Sequence, residues 1–136
     1  EKLKTKILAN KNVNYLGYLD REGIQNVLAH SFAGIVTLLP APNHNNSYPI
    51  KMFEYMASGI PVIASNFEKW ISIIEENSAG ICVDPSNVEE LSNAIQYLNN
   101  NPQIAAEMGR NGRRAFEEKY NWQVEEKKLI DLYNTI

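Results

Sequence analysis

The stretch Tyr48–Ser65, Y-P-I-K-M-F-E-Y-M-A-S-G-I-P-V-I-A-S, constrains the fold more than any other part of the chain. From about Ile50 its apolar residues repeat with a helical period. On a helical projection Lys51, Glu54, Tyr55 and Ser58 share one arc, and Ile50, Met52, Phe53, Met56 and Ala57 fill the opposite side. Gly59 suits the position just past a helix end, where φ turns positive. The apolar run Pro61–Ala64 suits a strand covered on both faces. A loop therefore feeds a helix, and the helix feeds a buried strand.

Lys51 falls in the first turn of that helix, where a cation opposes the macrodipole. Two readings stand side by side. In one, Lys51 is a snorkelling surface lysine with Glu54 as its i,i+3 partner. In the other, Lys51 and the free N–H groups of the helix start meet a phosphate together. Glu54, one turn on, then faces whatever that phosphate carries, and a carboxylate accepting from vicinal hydroxyls is a common grip on a ribose.

The rest of the chain reads as one α/β unit, since 136 residues fit a single domain. A helix end covers Glu1–Asn10, with Leu3, Ile7 and Leu8 at helical spacing, and a short strand covers Asn12–Gly17. Asp20 caps a helix over Arg21–His30 with Ile24, Val27 and Leu28 inward. Gly34–Leu39 is the most β-like run, and Pro40–Ser47 is a loop. Beyond the central stretch come a helix over Phe67–Asn77 and a strand over Ile81–Val83. A capping box at Ser86–Glu89 opens a helix with Val88, Leu91, Ile95 and Leu98 on one stripe. Pro102 starts another helix, Tyr120-Asn121-Trp122 interrupts it, and Val124–Thr135 closes the chain as an amphipathic helix. Alternating strands and helices predict a parallel sheet with right-handed crossovers, whose ligands sit beyond the carboxyl ends of the strands. The loop from Pro40 to Pro49 leaves such an end.

Composition removes several function classes. A net charge of −3 with no basic excess argues against nucleic acid as the main partner. No apolar run approaches a membrane span, and no signal peptide pattern is present. The single cysteine, Cys82, has no internal disulfide partner and reads as a buried thiol in a reducing compartment. His30 and His44 without a cysteine cluster supply no metal-ligand set. His44 reads as a solvated loop histidine, and Trp70 and Trp122 as packing residues. The charge run Lys119–Lys128 reads as a solvated face, or as a patch docking on another domain.

The central segment Glu54-Tyr55-Met56-Ala57-Ser58-Gly59-Ile60-Pro61-Val62-Ile63-Ala64-Ser65 resembles the donor-binding segment of retaining glycosyltransferases of GT-B architecture, in the large family 4 (glycosyltransferase group 1). Pro49-Ile50-Lys51 before the glutamate is similar to one branch of that family. The likeness continues from Val13 to Tyr133, through Gly34–Pro40, Gly80–Pro85, Met108-Gly109 and Asn121-Trp122.

The resemblance implies a Rossmann-like parallel sheet flanked by helices, a partial C-terminal half of a GT-B glycosyltransferase. The sheet and donor loop lie at about 13–85 and the C-terminal helices at 86–136. It implies transfer of a sugar, with retention, from a UDP- or GDP-sugar to a hydroxyl acceptor, with no metal and no cofactor besides the donor. Lys51 and Glu54 become the catalytic candidates, Lys51 at phosphate and Glu54 at ribose. Asn46, Ser47, Tyr48 and Pro49 complete the donor-binding segment. One departure bears on the donor. The family pairs Glu54 with an earlier glutamate, seven residues intervening, and here that position is Asn46, which hydrogen-bonds hydroxyls but carries no charge.

A second departure concerns the sheet. The family's first strands of this domain and its acceptor-binding N-terminal domain have no counterpart here, so the chain reads as a fragment, inactive alone. Its sheet is expected to be incomplete, or completed by rearrangement or a second copy. The resemblance implies a cytoplasmic protein and is compatible with peripheral membrane association of the longer protein. A GT-B-like sugar epimerase or phosphorylase, and a non-catalytic α/β interaction module, are the competing readings.

Overall fold

The computed structural model describes residues 2–135, with side chains from residue 5 onward. Eleven elements follow in chain order. They are α1 (Lys2–Leu8), α2 (Arg21–Ala29), β1 (Gly34–Val36), the single turn α3 (Pro42–Asn45), α4 (Ile50–Ala57) and β2 (Val62–Ser65). After these come α5 (Glu68–Ile74), β3 (Gly80–Val83), α6 (Val88–Asn100), α7 (Pro102–Lys119) and α8 (Trp122–Asn134). The strands form one parallel sheet in the order β1-β2-β3, with Ile63 opposite both Ile35 and Ile81.

The apolar run at β2 works as a doubly covered strand. Val62 and Ala64 face one core with Met52 and Met56 of α4 and Trp70 and Ile74 of α5. Ile63 faces the other core with Val83, Ala94 and Leu98. Every residue of β2 is buried, so period-2 alternation is replaced by a continuous apolar run. α7 reaches both cores, through Ala115 on one side and Ala105 on the other.

The helix at the centre forms where its period places it. Pro49 is its N-cap, and Gly59 follows Ser58 with φ +71°, the left-handed conformation a helix stop needs. Its C-terminal carbonyls are satisfied from outside as well, since Arg113 of α7 donates to Ala57 O and also pairs with Glu117 at 2.6 Å. Close approach of α7 is permitted by Gly109, because a Cβ there would stand 2.0 Å from Gly59 O.

Several expectations need correction. Asn12–Gly17 is not a strand, because among the described residues no strand pairs with it, and a short apolar run without a partner has no ladder to join. The sheet thus ends at β1, and α2 buries no residue; Ile24 and Val27 stay 41% and 37% exposed. Asp20 does cap α2, accepting from Gly23 N at 2.8 Å. The loop after β1 contains the turn α3.

Helix α6 is capped by Asn87, which accepts from Glu90 N at 3.1 Å. Ser86 is instead held in the preceding turn by Asp84, whose Oδ1 accepts from both its N–H and its hydroxyl. Those two bonds hold the Asp84 carboxyl below its usual range. Ile50 and Val88 open their helices at 75% and 80% exposure rather than joining the apolar stripes. Trp122 is 68% exposed, not packed, and α8 buries no residue. The packing of Leu3 lies outside the described side chains. Cys82 is half-buried, and burial, with Glu75 beside it, pushes its thiol up to about 12.

Candidate functional site

The loop toward α4 begins where β1 stops, and its first anchor is Ser65, the last residue of β2. Ser65 is fully buried, and its hydroxyl both accepts from Leu38 N at 2.8 Å and donates to Leu38 O at 2.9 Å. One side chain thereby replaces the ladder beyond Val36 and sets the direction in which the loop departs. Ser65→Ala leaves both Leu38 groups without a protein partner, at an expected cost of about 1–3 kcal/mol. Amide exchange read residue by residue should show Leu38 opening first, and unchanged protection of that amide would refute the assignment.

Two further ties shape the loop. His44 Nδ1 bonds Leu39 O at 2.8 Å, so this histidine braces the loop instead of standing free in solvent. Trp70 is fully buried and donates its indole N–H to Ser47 O at 2.7 Å. It therefore carries the weight of the core and the position of the loop's exit together. Asn46 is exposed, with its amide donating to Pro42 O at 3.2 Å. Ser47 Oγ donates to His44 O at 3.2 Å.

The sequence-derived site residues do not all converge. Lys51 and Glu54 are both exposed on α4, and neither belongs to the ion pairs present among the described residues, Arg113–Glu117 and Glu125–Lys128. Glu54 and Ser58 line a groove of about 350 Å³ against the start of α2, opposite Tyr18, Asp20, Arg21 and Gln25. Lys51 does not line this groove. Tyr55, which shares their arc on a helical projection, turns away into the sheet. Its ring fills the space above Gly34, where a Cβ would stand 2.3 Å from the ring, and its hydroxyl lies 3.4 Å from Ile35 O. Burial raises the Tyr55 phenol, and the neighbouring Glu54 charge adds to it. Tyr48 precedes α4 and does not line this groove; it is 52% exposed, with the Lys69 ammonium 5.8 Å from its ring centroid. Pro49 is half-buried as the cap of α4.

Tyr18 and Arg21 escaped the reading of the sequence. Their place across from Glu54 follows from the docking of α2 beside α4, for which the local pattern carries no signal. Among the described residues no group of three or more histidine, cysteine or carboxylate side chains is placed to hold a metal, and no helix is long and apolar enough to cross a membrane.

Comparison with known proteins places this arrangement. The chain superposes on sucrose-phosphate synthase from Thermosynechococcus elongatus with a TM-score of 0.81 and 25% identity, over 98% of this chain and 32% of that one. The capsular polysaccharide biosynthesis glycosyltransferase CapM of Staphylococcus aureus is 26% identical over 105 residues, covering 77% of this chain and 28% of the relative. The D-rhamnosyltransferase WbpZ of Pseudomonas aeruginosa is 29% identical over 114 residues, covering 83% and 29%. The chain thus spans less than a third of the length of these relatives. A family profile described as "Glycosyl transferases group 1" matches residues 1–115, so the chain belongs to the group 1 glycosyl transferases and carries part of their GT-B fold.

Proposed function

We propose that the chain is the donor-binding part of a retaining glycosyltransferase of family 4, gripping a UDP- or GDP-sugar beside α4. The observation that carries this reading is Glu54, an exposed carboxylate with no ion-pair partner among the described residues, on the wall of a groove at the α2–α4 junction. A carboxylate so placed accepts from two vicinal hydroxyls without first breaking a salt bridge. Lys51, on the first turn of α4, meets the diphosphate together with the helix-start N–H groups. Positive charge at that point stabilises the leaving diphosphate electrostatically, so the chemistry needs no metal. Asn46, Ser47, Tyr48 and Pro49 form the sugar end of the segment. With an amide at residue 46 in place of a carboxylate, that end recognises hydroxyls without adding charge.

The acceptor and its hydroxyl are bound by the longer protein, in the cytoplasm, and the partner of this chain there is an acceptor-binding N-terminal domain. Peripheral association of that protein with a membrane and self-association of this chain are compatible with this reading.

Calorimetric titration of the chain with UDP and GDP tests the core of it. One of the two should saturate, and Glu54→Gln should weaken it roughly 10- to 100-fold, the worth of a hydrogen bond to a charged group. Saturable binding that Glu54→Gln leaves unchanged would remove Glu54 from the site, and absence of binding to both nucleotides by this chain and by the longer protein alike would count against the reading as a whole.

A further inference from the structure

A second cleft, of about 660 Å³, shares no lining residue with the Glu54 groove and takes Phe53 from α4. Tyr48, Phe53, Tyr120 and Trp122 supply its aromatic walls, and Ser72 and Glu125 are among its polar lining groups. Its size and its mix of aromatic surface with a few polar groups are those of a small-molecule site.

The walls are held in place. The Phe53 and Tyr120 rings pack at 5.5 Å between centroids. Asn121 locks the α7–α8 corner with three bonds, donating to Phe116 O at 3.0 Å and Glu117 O at 2.7 Å and accepting from Val124 N at 3.1 Å. Trp122 is therefore 68% exposed at a rigid corner, not on a loose tail. Tyr48 is 52% exposed next to Ser47, which Trp70 holds. Trp122 thus presents a large aromatic surface at a fixed position, and Tyr48 adds a ring that the Lys69 ammonium approaches to 5.8 Å, an aromatic and polar lining of the kind that takes a ligand. Glu125 pairs with Lys128 at 2.7 Å, but both side chains are more than half exposed, so the pair is weak and the carboxylate stays free to accept further hydrogen bonds.

We propose that this cleft binds a carbohydrate chain, with the apolar C–H faces of pyranose rings stacked on Trp122 and Tyr48 and sugar hydroxyls donating to Glu125. A pyranose presents this same division, an apolar face bordered by hydroxyls.

The two tryptophans make the test selective. Trp70 is fully buried and Trp122 exposed, so quenching by acrylamide reports Trp122. Maltotriose and cellotriose are the probes, each at about 10 mM, some ten times the Kd of a ~1 mM site. At least one of them should cut the quenching by about half, in line with burial of most of a bound ligand's surface. Tyr48→Ala should abolish that protection while circular dichroism stays unchanged, and Trp122→Ala should remove the quenchable signal. Quenching unaffected by both sugars would overturn the proposal. So would protection that rises with protein concentration alone, which would mark the cleft as a protein contact. Nucleotide binding is read separately by calorimetry, so failure of the donor reading and failure of this one are told apart.

Discussion

Gly109→Ala is expected to cost about 3 kcal/mol or more, at the upper end of what overpacking does. The added Cβ would stand 2.0 Å from Gly59 O and 2.8 Å from Gly59 C. Both are backbone atoms, and Gly59 is itself fixed at φ +71° as the stop of α4, so neither can swing aside. Relief requires α7 to back away from α4, which uncovers Met56 and the tie from Arg113 to Ala57 O. Gly112, three residues on, is the control. A Cβ there meets Ala79 Cβ at 3.4 Å and Met56 Cα at 3.5 Å, ordinary contact distances. Gly112→Ala should be neutral or stabilising by up to about 1 kcal/mol through helix propensity. Urea midpoints for the two variants should move in different directions or by very different amounts. Equal losses would show that the α4–α7 contact is not set by the Gly109–Gly59 approach.

Trp70→Ala should be as damaging, roughly 3–5 kcal/mol for the cavity alone. Against a net stability of about 5–15 kcal/mol for a domain, that is a large part of the whole. The indole fills the core under β2, stacks edge-on to Phe67 at 4.8 Å and holds Ser47 O. Trp70→Phe separates these roles. It keeps much of the apolar volume and loses the N–H, so about 1–2 kcal/mol of stability should go while Ser47–Pro49 loosens. Hydrogen exchange at the Ser47 amide, which donates to His44 O at 3.2 Å, should rise in Trp70→Phe well beyond exchange in β2. If loop and sheet change in parallel, Trp70 is core packing only and the loop is positioned elsewhere.

How far the fold could be read from residues alone varies with how local its causes are. Helix α4, its stop at Gly59 and the burial of β2 were legible, because a 3.6-residue period, a positive-φ glycine and an unbroken apolar run act within a few residues of themselves. The cap at Asp20 and the start at Pro102 were legible for the same reason, whereas Asn121 was read only as an interruption and proves to be the N-cap of α8. Asn12–Gly17 was misread because strand identity depends on a partner, and the pattern V-N-Y-L carries none. Tyr55 was placed beside Glu54 by periodicity, yet the bare face of Gly34 offers its ring a hollow that only the folded sheet creates. Ser65 carried no reading of its own, because its double bond to Leu38 joins residues 27 positions apart. Of the candidate site, the exposure of Lys51 and Glu54 followed from the helix. The neighbours of Glu54, and the placing of Tyr48 in a different cleft, followed from how α2, α5 and α8 dock.

The Tyr55 ring has a consequence for how the molecule behaves in company. In a parallel ladder alternate residues serve one neighbour, so with Gly34 N bonded to Pro61 O, the peptide groups of Ile35 look away from β2. An open rim of that kind is a template for strand addition by another molecule. The phenol sits on the Ile35 carbonyl and occupies one of the few acceptors an incoming strand would need. A phenol ordinarily keeps its proton throughout the neutral range, and burial, with the Glu54 charge, pushes the ionisation of Tyr55 further up.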